Sequence, residues 1–192
     1  TIMIELLHQL NWESPDWVVV PGGNLGNSSS FGKAFYELYE CGFIKKIPRV
    51  AIIQADGSNP LYKSFVSKDR TLHSVHAETR ATAIKIGNPV SFDKAWYTVD
   101  YTKGFVEQVS EDEIAIAKSK IGLDGVGSEP ASATTLAGVK KLVEKGVIDK
   151  TEKAVCILTG NVLKDPDYTI EFHSDNLFLD AVHNSTVSGT KK

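Results

Sequence analysis

The chain has 192 residues, 42% hydrophobic and 23% charged, with a formal net charge of −3. That length suffices for one sizeable core or a large piece of a bigger one, and the composition argues against disorder, collagen-like repeats and coiled coil. No broad basic field invites nucleic acid, and no apolar run approaches the roughly 20 residues of a membrane-spanning helix.

Cys41 and Cys156 form neither a metal-ligand spacing nor a disulfide framework; both are expected to be core thiols in a reducing cytoplasm. Residues Thr1–Trp12 lack the cationic start and small-residue cleavage site of a secretory signal. They carry Ile2, Leu6, Leu7 and Leu10 at helical spacing with no initiator Met, which leads to the expectation of a fragment that starts mid-domain.

Trp17–Pro21 predicts a buried parallel strand, ended by Pro21-Gly22-Gly23. After a loop at Gly22–Asn27, one of Ser28, Ser29 and Ser30 is expected to cap a helix reaching about Cys41. Its stripe is Phe31, Phe35 and Leu38, and Gly42 stops it. Arg49–Ala55 is the next strand, completing a βαβ unit. The fold class expected is α/β: an open, mainly parallel sheet with helices on both faces.

Asp56–Arg80 reads as a long irregular connection, and Ala81–Ile86 as a short helix closed by Gly87-Asn88-Pro89. Ser91 or Asp93 opens a helix through Lys94–Tyr101, and Gly104–Val109 is a strand. Ser110 and Glu113 form a capping box for a helix toward Ile121. Pro130 starts another helix, ending at Gly146, and Lys153–Thr159 is the last clear strand. Residues 1–167 are expected to form one cofactor-binding α/β domain and 168–192 a C-terminal tail, frayed over Ser185–Lys192.

The strongest local signal is Pro21-Gly22-Gly23-Asn24-Leu25-Gly26-Asn27 between a strand and a helix. Glycines let successive N–H groups converge, and the helix adds the positive end of its dipole, so the loop suits a phosphate. A tight turn needing glycine for shape alone gives the same pattern. The run has no G-x-x-x-x-G-K-[ST] lysine and no G-x-G-x-x-G spacing. Glu40 lies near the distance of a dinucleotide acid but beside the helix rather than at the end of the second strand.

VVPGGNLGN, followed by a helix and RVAIIQADGSNPLY, resembles the phosphate loop and next strand of the threonine synthases. ATAIKIGNPVSFDKA (81–95), SEPASATTLAGVKKLV (128–143) and LTGNVLKDPD (158–167) resemble further blocks of the same family in the same order. These are tryptophan-synthase β-like (fold type II) pyridoxal-phosphate enzymes, and they convert O-phosphohomoserine and water to threonine and phosphate. The resemblance implies pyridoxal 5'-phosphate as cofactor, with its phosphate on Gly23, Asn24, Leu25, Gly26 and Asn27. It places the Thr159 hydroxyl at the pyridine nitrogen and Ala83 close to cofactor and substrate. Without that resemblance, Thr159 is a strand-end threonine capping its own backbone. Glu129 complements a helix dipole. Ser132 is left open between a cap and the ring.

In the family the Schiff-base lysine lies in an S-x-K-D-like motif upstream of the loop; Thr1–Pro21 contain no lysine. Ser67-Lys68-Asp69 echoes the motif but follows the loop, so Lys68 is read as a solvated residue. The isolated chain is therefore expected to be inactive, with the catalytic lysine in a missing N-terminal portion. A homodimer is a further implication of the resemblance. Its near alternatives are a cysteate-synthase-like or threonine-dehydratase-like enzyme. A non-catalytic anion- or nucleotide-binding module would use the loop and leave Thr159 idle. His8, His73, His76, His173 and His183 make no metal signature.

Overall fold

The computed structural model describes residues 1–174. In chain order the elements are α1 (Ile2–Gln9), β1 (Trp17–Pro21), α2 (Gly26–Glu40), β2 (Arg49–Ala55), α3 (Pro60–Ser67), α4 (Phe92–Tyr101), β3 (Phe105–Val109), α5 (Glu111–Leu123), α6 (Pro130–Glu144), β4 (Ala154–Cys156) and α7 (Pro166–His173). Short 3-10 turns occupy Thr82–Ile84 and Val162–Lys164. The four strands form one sheet in the order β3-β2-β1-β4, and every pairing is parallel.

The strand alternation divides the core into two layers. Val18, Val20, Val50 and Ile52 face one side, where they meet Phe31 and Phe35 of α2 and Trp96 and Val99 of α4. Trp17, Val19, Ala51 and Ile53 face the other, against Ile114 and Ile121 of α5 and Ala133, Ala137 and Leu142 of α6. Strands buried on both faces are mainly apolar, which is why β1 reads WVVVP and β2 RVAIIQA, with Gln54 a buried polar exception. The expected α/β class, with helices on both faces, is the observed one.

Most boundaries agree with the expectation, including the capping box at the start of α5. There Ser110 Oγ accepts from Glu113 N at 3.2 Å and Ser110 N donates to Glu113 Oε2 at 2.7 Å. Other details differ. The connection 56–80 contains α3, whose Pro60 needs no N–H in the first helical turn. Helix α2 begins at Gly26, so none of Ser28, Ser29 and Ser30 is its cap; Ser29 and Ser30 instead donate back to the carbonyls of Leu25 and Gly26. Strand β4 is three residues, not seven: it is an edge strand, and beyond Ile157 N, which donates to Val19 O at 2.9 Å, the chain turns away. Helix α1 buries Met3 and Leu7 and leaves Ile2 exposed.

Cys41 is exposed rather than in the core, because it follows the last turn of α2 off the Phe31–Phe35–Leu38 stripe. Cys156 is half-buried, and burial pushes its thiol up, with Thr135 opposing. Lys68 is exposed and caps α3 in a left-handed conformation. Helix α7 (Pro166–His173) runs across the boundary expected between residues 167 and 168. The expected fraying of Ser185–Lys192 lies outside the described residues.

Helices α2 and α4 touch at Gly32, where a Cβ would sit 2.7 Å from Thr98 Cβ and nearer still to its hydroxyl. Glycine costs a helix interior about 1 kcal/mol relative to alanine, so an unconstrained Gly→Ala change stabilises. Here the close approach reverses the sign. Gly32→Ala is expected to lose about 1–3 kcal/mol by overpacking, read as a lower urea midpoint.

Candidate functional site

The sheet order makes one place special. From β1 the chain moves to β2 on one side, and only after β3 does it return to lay β4 on the other side of β1. The loops leaving the carboxyl ends of β1 and β4 therefore part there, at a topological switch point where open α/β sheets leave a crevice. The loop Gly22–Asn27 leaves β1, and Leu158–Gly160 leaves β4. Pairing of Val19 with Cys156, and of Ile157 N with Val19 O, sets the two exits beside each other. Neighbouring strands lie about 4.8 Å apart.

The loop is fixed at both ends. Gly22 N donates to Ile53 O at 2.7 Å, prolonging the β1–β2 ladder. The buried Gln54 donates from Nε2 to Gly22 O at 2.9 Å and accepts from Tyr62 N, tying the loop to α3. Asn24 Oδ1 accepts from Val90 N at 2.8 Å, so this side chain braces the loop against the segment before α4. Leu25 is buried and left-handed (φ 65), an unusual conformation for a side-chain-bearing residue. It turns the chain into α2, and its carbonyl accepts from Ser29 N.

Between those anchors the amides of Gly23, Asn24, Leu25, Gly26, Asn27 and Ser28 have no acceptor among the described residues. Ser28 Oγ is buried and also without a hydrogen-bond partner. No acidic residue stands in the first turn of α2 to compete with an anion. A Cβ at Gly26 would meet nothing within 4 Å, so space is open above the helix start. Unpaired donors facing a void match a phosphate.

Of the other expected residues, Ala83 adjoins this loop, and Thr159 lies three residues beyond Cys156, the partner of Val19. A Cβ on Gly23 would lie 2.9 Å from Ala83 O, so the Thr82–Ile84 turn is pressed against it. Ser58 Oγ holds that turn by donating to Ile84 O at 2.8 Å. Thr159, at the surface, has its hydroxyl in a polar cluster with Glu129 and Ser132 at the start of α6. Ala154 and Cys156 face the α6 layer, and Thr159 reaches the start of α6 because the chain has left the strand after Ile157.

Glu129 and Ser132, left open by the sequence, and Lys164, not singled out at all, belong to the same cluster. Glu129 is 1% exposed and is the N-cap of α6, yet its side chain makes no capping bond. Its Oε1 accepts from Thr159 Oγ1 at 3.1 Å, and Lys164 Nζ lies 3.0 Å from Oε2, which makes no hydrogen bond of its own. Gly160 is required here: a Cβ would stand 2.3 Å from the Glu129 carboxyl carbon. The proline after Glu129 marks a helix start in the sequence, but only the fold shows that the carboxylate turns inward.

An open parallel α/β sheet with unpaired amides on one side of its switch point and a polar cluster on the other is the arrangement of an α/β protein with room for an anionic group at the start of α2. The chain belongs to the pyridoxal-phosphate dependent enzyme family, whose model matches residues 1–160. It is similar to the threonine synthase of Methanocaldococcus jannaschii, at 41% identity over 96% of this chain and 46% of that protein. It is also similar to the chloroplastic threonine synthase 2 of Arabidopsis thaliana, at 38% identity over 92% of this chain and 35% of the relative. The chain thus spans half or less of the length of these relatives. Among solved structures, threonine deaminase isoform 2 of Solanum lycopersicum shares the fold with TM-score 0.72 and 18% identity, over 91% of this chain and 47% of that one. An L-serine ammonia-lyase of Rhizomucor miehei gives TM-score 0.69 and 20% identity, over 89% and 54%.

Two glycines of the site should respond oppositely to the same change. Gly160→Ala forces the Glu129 carboxylate off Thr159 and should cost about 1–3 kcal/mol. Gly26→Ala, with open space and a helical position, should hold or raise stability by up to about 1 kcal/mol. Chemical denaturation of the two variants checks both signs.

Proposed function

We propose that this chain is the cofactor-binding part of a threonine synthase, which converts O-phosphohomoserine and water to threonine and phosphate. The observation that carries the reading is that the unpaired amides of Gly23–Asn27 and the Thr159 hydroxyl follow the ends of two adjacent, paired strands. Two groups so placed suit one ligand with an anionic end and a heterocyclic nitrogen. The 41% identity to a threonine synthase along nearly the whole chain favours that reaction over others of the family.

Bound pyridoxal phosphate supplies an electron sink for carbanion chemistry. The protein contributes position and field. The amides of Gly23, Asn24, Leu25, Gly26 and Asn27, with the dipole of α2, hold the phosphate. Asn24 contributes by fixing the loop to Val90. Thr159 would offer its hydroxyl to the ring nitrogen, and Ala83 would stand close to the ligand. The cofactor-bearing lysine and the contacts to the substrate's phosphate belong to sequence outside these 192 residues, so the isolated chain makes no threonine. The whole enzyme works in the cytoplasm as a homodimer.

Titration of the purified chain with pyridoxal phosphate tests the reading, with a nicotinamide dinucleotide as the competing ligand. Saturable binding of pyridoxal phosphate alone is expected. Gly26→Ala should weaken it about tenfold or more, equivalent to ~1.4 kcal/mol, while the fold stays intact. Preference for the dinucleotide, or equal binding by the variant, overturns the assignment. Threonine formation by the chain alone, near the rate of an intact enzyme, overturns the claim of inactivity.

A further inference from the structure

Helix α7 starts with a residue that does not serve it. Asp165 is the N-cap, a position where a carboxylate ordinarily accepts from its own helix's amides, yet its side chain makes no capping bond. Both of its oxygens face the Thr82 hydroxyl instead, at 2.9 Å for Oδ1 and 3.1 Å for Oδ2. The hydroxyl donates and the carboxylate accepts, across 83 positions of sequence.

Each partner is tied to a different half of the site. Thr82 opens the Thr82–Ile84 turn, and the Ala83 carbonyl is so close to the phosphate loop that a Cβ on Gly23 would lie 2.9 Å from it. The far end of that turn is held by Ser58 Oγ, which donates to Ile84 O and accepts from Ile86 N. On the other side, Asp165 follows Lys164, whose ammonium lies 3.0 Å from Glu129 Oε2, while Glu129 Oε1 accepts from Thr159. Helix α7 is itself anchored: Tyr168 is buried, and Lys118 Nζ donates to Thr169 Oγ1 at 2.9 Å. Contacts therefore run from Gly23 through Thr82 and Asp165 to Thr159.

We infer that Thr82 and Asp165 are positioning residues: their hydrogen bond latches the turn beside the phosphate loop to the segment that leaves β4. This rests on the proposed cofactor reading and goes beyond it. The backbone ladder between β1 and β4 ends at Ile157, so it does not itself fix the separation of the groups that follow. A ligand held at both places loses affinity for every degree of freedom it must freeze, and a separation fixed in advance removes part of that loss. A ligand held by the loop amides alone gains nothing from the latch. Neither residue touches a ligand in this scheme.

The test compares two ligands on the 192-residue chain. Pyridoxamine 5'-phosphate has an anionic end and a ring nitrogen, and no aldehyde to react with surface lysines. Inorganic phosphate, read by its competition with that compound, has the anionic end only. Thr82→Val keeps the size and branching of the side chain and removes the hydroxyl. It should weaken pyridoxamine phosphate about threefold to tenfold, the share of one charge-assisted hydrogen bond that reaches the ligand. The inhibition constant of phosphate should not change. Thr82→Ser should restore wild-type affinity. Asp165→Ala should match Thr82→Val, and the double variant should bind no more weakly than either single one. Wild-type affinity in Thr82→Val overturns the inference. So does an equal loss for both ligands, the mark of a purely structural role, or a double variant whose loss is the product of the two. Should Asp165→Ala fail to fold, Thr82→Val and Thr82→Ser decide the matter. Those outcomes leave the cofactor reading standing; absence of saturable pyridoxamine phosphate binding by the wild type sinks that reading, and the inference with it.

Discussion

Parallel pairing of β1 with β4 is the constraint on which the site depends. Trp17, Val18 and Val19 match Ala154, Val155 and Cys156 in register, and one further bond carries the ladder to Ile157. That short contact joins residues more than 130 positions apart in sequence. It brings a backbone-lined pocket and a side-chain hydroxyl to one edge. Were β4 paired one residue out of step, alternation would turn Ala154 and Cys156 away from the α6 layer and displace the segment that follows them.

The two halves of the site are built on different principles. On the β1 side the free donors are main-chain amides, and the side chains hold the loop in place: Asn24 to Val90, Gln54 to Gly22, and Leu25 into the core. On the β4 side the exposed polar group is a single side-chain hydroxyl, Thr159, in contact with the buried Ser132 and Glu129. Each half is stiff for its own reason. Glycine is needed at positions 23 and 160 because other groups come within touching distance, not because the chain must bend.

Much of this was legible in the sequence. Uninterrupted apolar runs marked β1 and β2, Ser110 and Glu113 announced α5, and the glycine-rich junction located the loop. Motif order brought Thr159 and Ala83 to it. What stayed hidden depended on three-dimensional neighbours. Glu129 looked like a dipole partner because nothing local shows that Lys164 and Thr159 surround it. Helix α3 was obscured by the charged residues and turn formers around it, and its amphipathic face has meaning only against Phe105 and the sheet. The seven-residue expectation for β4 failed because propensity continues through Leu158 while the chain itself leaves β1 after Ile157, although β1 runs on to Pro21. Cys41 was misplaced because an apolar neighbourhood in sequence is not a buried position on a helix.

The amide-lined loop has an evolutionary corollary. No codon specifies an N–H group, so point mutation cannot delete these donors one at a time, except through proline. Drift can alter the braces, the space above Gly26 or the bend at Leu25, and each shifts the whole row of donors together. Affinity on this side should therefore change across lineages in coarse, collective steps, while the Thr159 side remains open to fine adjustment by single substitutions.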